Sequence, residues 1–163
     1  MYEYYLFSPI RMKWVKRKKI KGCTFCKIAK GDKSVPQKIL YKDGKMMVIM
    51  NTFPYNTGHL QIVPTRHVEN FEELSENEIT SLFVMVKKCI KLIKKVLTPS
   101  GFNIGINLGG EVAGASIKHL HIHIVPRFER DIGFMEIIGK TKVMPTTLEK
   151  TFKMLKKEAD MLK

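Results

Sequence analysis

A chain of 163 residues that is 44% hydrophobic fits one compact domain able to bury its own core without disulfide staples. No apolar run reaches the eighteen residues a membrane span needs, and Met1-Tyr2-Glu3-Tyr4-Tyr5 lacks the basic-then-apolar layout of a secretory signal, so a cytoplasmic protein without membrane contact is expected. Lys and Arg number 29 against 15 Asp and Glu, a net charge of +14 that concentrates anionic ligands, phosphates first, around the molecule. The excess gathers at Lys16-Arg17-Lys18-Lys19, along Lys87, Lys88, Lys91, Lys94 and Lys95, and in the last turn of the chain, as solvated faces and tails do. Without interleaved aromatics or a nucleic-acid motif, that charge makes nucleic acid a secondary candidate partner.

Residues 1–21 read as a basic N-terminal arm, and 22–163 as a single domain with a C-terminal extension from about residue 131. Lys38–Tyr41 and Lys45–Met50 are β-prone runs joined by a hairpin turn at Asp43-Gly44, and His59–Val63 is a third strand. Ser75 and Glu78 form a capping box, after which Ile79, Leu82, Phe83, Val86, Ile90 and Ile93 recur at helical spacing as far as Leu97. Phe102–Leu108 and His119–Val125 are two further strands, joined by the glycine-rich loop Gly109–Gly114, and Thr147–Leu162 is a C-terminal helix. Antiparallel strands with helices beside them indicate an α+β domain.

Three of the five histidines alternate at 119, 121 and 123, with Leu120, Ile122 and Ile124 between and after them. On a strand such positions share a face and follow one another at roughly 6.5 to 7 Å, so the imidazoles line one surface. A metal-binding tract or chance spacing is the competing account, yet alternating histidines contribute little to a half-buried strand. Cys23 and Cys26 form a C-x-x-C pair, which in a reducing compartment suggests metal or redox chemistry, and with His59 and His67 they give a pool of two thiols and two imidazoles suited to zinc. Cys89, on the helix, reads as core.

Gly58-His59-Leu60-Gln61-Ile62-Val63-Pro64, Gly114-Ala115-Ser116-Ile117-Lys118 and His119-Leu120-His121-Ile122-His123-Ile124-Val125-Pro126-Arg127 resemble the histidine triad family of nucleotide hydrolases and transferases, over roughly residues 22–130. Phe7–Met12, Phe134-Met135 and Thr141–Pro145 resemble that family's diadenosine tetraphosphate phosphorylase branch. The resemblance implies a five-stranded antiparallel sheet with a long central helix and a C-terminal helix, and a homodimer whose long helices pack together. It also implies cleavage of a dinucleoside polyphosphate at the α-phosphate through a nucleotidyl-His121 intermediate, resolved by phosphate or water.

By the same resemblance, His123 and Ser116 complete the catalytic set, and His59, Asn107 and Gly114 lie beside the phosphates. Ile28, Asn51 and Phe53, with residues near Phe25, border the nucleoside. Cys23, Cys26, His67 and His119 are implied ligands of a structural zinc, and no organic cofactor is expected. The family commonly has Gln where this chain has Ala115, and the phosphorylase branch commonly has Trp where Phe128 stands. Two alternatives accompany this reading: a nucleoside phosphoramidate hydrolase, and a nucleotide- or RNA-binding module with vestigial catalysis.

Overall fold

The computed structural model describes residues 21–115, 117–129, 131, 133, 137–139 and 142–163. Residues 1–20 of the basic N-terminal arm, Ser116 and most of the phosphorylase-like stretches lie outside these residues. Five strands form one sheet: β1 (Ile39–Lys42), β2 (Met46–Met50), β3 (Leu60–Pro64), β4 (Gly101–Ile106) and β5 (Ile122–Arg127). Their order is β1-β2-β3-β5-β4, with every neighbouring pair antiparallel. The β1–β2 hairpin closes at Asp43, whose Oδ1 accepts from the amides of Lys45 at 2.8 Å and Met46 at 2.7 Å.

Among the described residues three helices accompany the sheet: α1 (Thr24–Ala29), α2 (Glu76–Leu97) and α3 (Leu148–Lys157). Ser75 caps α2, its Oγ accepting from the Glu78 amide at 3.3 Å while Glu78 accepts back from the Ser75 amide at 2.9 Å. Arg66 adds a two-pronged contact to Glu78, at 2.7 and 3.0 Å. At the other end Leu97 meets Gly58, which has φ +81° and where any Cβ would overlap the Leu97 side chain, so the turn entering β3 must carry glycine. Thr147 caps α3, and a 3₁₀ turn at Ala159–Leu162 follows it.

Alternation along the strands divides the molecule into two apolar layers. Val48, Met50, Leu60, Ile62, Ile122 and Ile124 pack against Leu82, Val86, Cys89, Leu92 and Ile93 of α2 and Leu155 and Leu162 at the C-terminus. The opposite sheet face carries a smaller cluster of Phe25, Ile28, Val35, Met47, Ile49 and Val63, covered by α1. The long side chains of Lys88 and Lys156 tie the C-terminal segment down: the first donates to the Lys163 carbonyl at 2.6 Å, the second to that of Ile39 at 2.9 Å. Among the described residues no helix is long and apolar enough to cross a membrane.

Several boundaries differ from the expectations. The last strand starts at Ile122, because the Leu120 amide donates to the Val68 carbonyl at 2.7 Å and that of His119 to Ile117 at 2.9 Å, away from the ladder. β4 runs from Gly101 to Ile106, set by its pairing with Arg127 through Ile122. The C-terminal α-helix stops at Lys157 and continues only as the 3₁₀ turn. α1 is an addition; at six residues it is too short to show a period.

Leu92 is fully buried between α2 and the sheet, so Leu92→Ala is expected to lower the unfolding free energy by about 2–5 kcal/mol. Urea denaturation followed by circular dichroism measures this, and a loss below about 1 kcal/mol would show that the layer tolerates a void there.

Candidate active site

β3 and β5 pair with Gln61 opposite His123 and Leu60 opposite Ile124, which puts the side chains of His59 and His123 together on the face away from α2. His59 Nε2 lies 2.9 Å from His123 Nδ1. His59 Nδ1 accepts from the Tyr55 amide at 3.2 Å, with the Asn51 side-chain amide at 3.3 Å. An amide can only donate, so Nδ1 of neutral His59 has no proton and its Nε2–H donates to His123 Nδ1. His123 therefore carries its own proton on Nε2, an atom that is buried and has no partner.

His121 is oriented from the opposite side. Its Nδ1 lies 2.8 Å from the His119 carbonyl oxygen, which can only accept, so Nδ1 holds the proton and Nε2 keeps a free lone pair. The His121 ring stands edge-on to His123, with centroids 4.5 Å apart, and to Phe25 at 5.0 Å. Burial lowers the pKa of all three rings, to about 3 for His59 and about 4 for His123, with neighbouring imidazoles adding to the effect at both; His121 moves in the same direction, against its bond to the His119 carbonyl. Each is thus neutral at pH 7, the state a nitrogen nucleophile requires.

A cleft of about 380 Å³ opens beside His123, lined by Tyr55, Asn103, Gly105, Asn107, Gly114 and Val125 among others. Tyr55 is 62% exposed and stacks on His59, centroids 5.0 Å apart and planes at 24°. Asn107 and Gly114 border the cleft. His59 is fully buried with both nitrogens engaged inside the protein; Asn51 turns to His59 and to the Phe53 amide, at 2.9 Å; Ile28 sits in the smaller core beside Phe25.

At the other end of the histidine row, Cys23, Cys26, His67 and His119 present one ligand atom each, all within 4.8 Å of one another. Cys23 Sγ and His119 Nδ1 are 3.2 Å apart, and Cys26 Sγ and His67 Nδ1 are 3.3 Å apart. Donor atoms around a tetrahedral zinc ion are separated by about 3.3–3.8 Å, so the spacing suits a metal. The outer nitrogens fit as well: His119 Nε2 donates to the Pro64 carbonyl at 3.1 Å and His67 Nε2 to Glu69 at 3.2 Å, leaving both Nδ1 lone pairs pointed at the sulfurs. These four residues could hold a metal ion.

Sequence reasoning missed Tyr55, Asn56 and Asp131. Asp131 gathers Asn56 Nδ2, Arg127 Nε, the Phe128 amide and Lys142 Nζ at 2.9–3.0 Å. Burial opposes its ionisation, but Lys142, Arg127 and these hydrogen bonds prevail and hold the carboxyl well below the usual range. The signal available in the sequence was Asn56 in the turn before His59.

The lowered values of His59 and His123 set a sign for acid stability. Below about pH 6.5 the unfolded chain takes up protons that the folded chain refuses, so stability falls with pH from there down toward pH 4. Histidine NMR should find both rings neutral at pH 6 and thermal melting should show the decline; a normal titration near 6.5 would refute the neutral row.

The family model described as HIT domain matches residues 32–130. An AP-4-A phosphorylase of Mycobacterium tuberculosis is 43% identical over 116 residues, 71% of this chain and 60% of that protein. The chain thus spans about 60% of the length of that relative. An uncharacterised HIT-like protein of Methanocaldococcus jannaschii is 36% identical over 134 residues, 82% of this chain and 98% of that one. The crystal structure of a Zn-bound histidine triad family protein from Mycobacterium smegmatis shares the fold, with a TM-score of 0.70 at 24% identity, over 86% of this chain and 95% of that one. The sheet order, the neutral histidine row and these matches agree: the chain belongs to the HIT domain family.

Proposed function

We propose that this protein is an enzyme that cleaves dinucleoside polyphosphates at the α-phosphate, with His121 as nucleophile. The observation that carries this is the 2.8 Å bond from His121 Nδ1 to the His119 carbonyl, which reserves the Nε2 lone pair for attack. That pair forms an N–P bond while the bridging P–O bond breaks, and its electrons leave with the departing nucleotide. A phosphate ion or water then attacks the same phosphorus and restores neutral His121. The His123 Nε2–H, unpartnered in the protein, donates to a phosphate oxygen as charge builds there, with Asn107, Ser116 and the Gly114 amide as further donors. The 43% identity to a phosphorylase supports the substrate class.

The pair of thiols and pair of imidazoles at Cys23, Cys26, His67 and His119 hold a structural zinc ion in this reading. The metal, when bound, supplies a rigid tie between α1 and the segment that carries His119. Exposed Phe83 and Val84 on α2 suit packing against a second copy, and light scattering reads the mass of such a homodimer.

Chromatography of products from diadenosine tetraphosphate, with and without inorganic phosphate, tests the reaction. ADP formed only with phosphate identifies a phosphorylase, and AMP plus ATP in either case a hydrolase. His121→Ala is expected to lower kcat by at least about 10³-fold. Turnover of an adenosine phosphoramidate alone would replace the substrate class, and an inert native chain would leave only nucleotide binding.

Elemental analysis of the purified protein is expected to find one zinc per chain, and Cys26→Ala to remove it with a fall in Tm of several degrees, about 2–4 °C per kcal/mol for a domain of this size. Full-length protein free of metal yet equally stable would dismiss the metal role.

A further inference from the structure

We propose that Asp131 is a positioning residue: through Asn56 it sets which nitrogens of His59 and His123 carry their protons. This rests on the reading that the His123 Nε2–H faces a phosphate oxygen. Asp131 lies one residue beyond the stretch matched by the family model, and its side chain is only 9% exposed. Its Oδ1 accepts from Asn56 Nδ2 at 3.0 Å and Lys142 Nζ at 2.9 Å; its Oδ2 accepts from Asn56 Nδ2 at 2.9 Å, Arg127 Nε at 2.9 Å and the Phe128 amide at 3.0 Å.

Of these partners, Asn56 is the one that leads to the histidines. It is 4% exposed, and its Nδ2 also reaches the Pro126 carbonyl at 2.9 Å, pinning the turn to the end of β5. With Nδ2 held by acceptors, Oδ1 must face the Thr57 amide, from which it accepts at 3.0 Å, and the Asn56 carbonyl accepts from the His59 amide at 3.1 Å. The turn so fixed aims the Tyr55 amide at His59 Nδ1. That amide, with the Asn51 side-chain amide beside it at 3.3 Å, decides the tautomer of both rings, because a proton on His59 Nδ1 would leave His59 Nε2 accepting and His123 Nδ1 donating, and strip the proton from His123 Nε2. The atom presented to the phosphate would change from donor to acceptor.

Arg127 and Lys142 keep the carboxylate in place rather than acting on the rings. Arg127 spans to β4 as well, donating to Asn103 Oδ1 at 2.7 Å. Lys142 also donates to the Asp131 carbonyl at 3.0 Å, so the C-terminal extension is bound to the turn that serves the site.

Long-range ¹⁵N NMR of the histidine rings in the full chain, as purified, tests this without substrate. The native chain should show His59 and His123 both protonated on Nε2. Asp131→Asn should give mixed tautomers at both rings and, with diadenosine tetraphosphate, a kcat about tenfold lower at nearly constant KM, less than the loss of a whole oxyanion donor. Asp131→Glu should restore part of the native pattern. Lys142→Met should shift it in the same direction by less.

Lys95→Met, which breaks a 2.7 Å ion pair with Glu158, serves as a control for lost stability and should leave the ring signals unchanged. A folded Asp131→Asn chain with native ring signals overturns the proposal, as does the same change in Lys95→Met. If Asp131→Asn does not fold, Lys142→Met decides, and native signals there overturn the proposal too. A native chain that shows these tautomers but turns over no dinucleoside polyphosphate counts against the proposed function alone.

Discussion

The register of β3 on β5 is the constraint on which the rest depends. With Leu60 opposite Ile124 and Ile62 opposite Ile122, the aliphatic residues of both strands meet α2, and Gln61 and His123 face the other way. A slip of one residue would drive the imidazoles into the helical core and the isoleucines into the cleft. The two central strands are flanked on both sides, by β2 and β4, and the apolar layer beneath them is almost fully buried. Such a layer resists the slip, and the histidine face inherits its rigidity.

Backbone atoms, rather than charged side chains, define the chemistry of that face. A carbonyl fixes the proton on His121, an amide removes it from one nitrogen of His59, and His123 follows its neighbour. Buried rings with settled tautomers can direct a lone pair and an N–H donor without a carboxylate beside them. His119 joins the two halves of the row, since its ring belongs to the Cys and His cluster and its carbonyl holds His121. The Phe25 ring, brought by α1, touches both His119 and His121 edge-on.

Much of this was legible in the sequence because period and chemistry coincide there. The alternation at 119–123 correctly assigned the faces, and the ligand set Cys23, Cys26, His67 and His119 came together as the resemblance implied. Alternation reports which way a side chain points, not where its amide bonds, so the strand was expected three residues too early. Thr24–Ala29 left no mark, since its cap position holds Cys23 without a side-chain capping bond and six residues complete no pattern. Asp131 was invisible for another reason: its partners Asn56, Arg127 and Lys142 are scattered along the chain and only folding brings them together. Ile28 packs in the small core and Asn51 bonds to His59.

The contact of His59 with His123 at 5.1 Å, and of His123 with His121 at 4.5 Å, makes these rings one electrostatic unit. A proton accepted by any of them repels a proton on the next, so they cannot charge independently and their titration belongs to the row. A polyanion arriving in the cleft would favour protonation of every ring at once, yet the mutual repulsion limits how much charge the row can take. Ligand association in mildly acidic solution would therefore draw in a fraction of a proton shared among several imidazoles, and the heat of binding would vary with the ionisation enthalpy of the buffer that surrendered it.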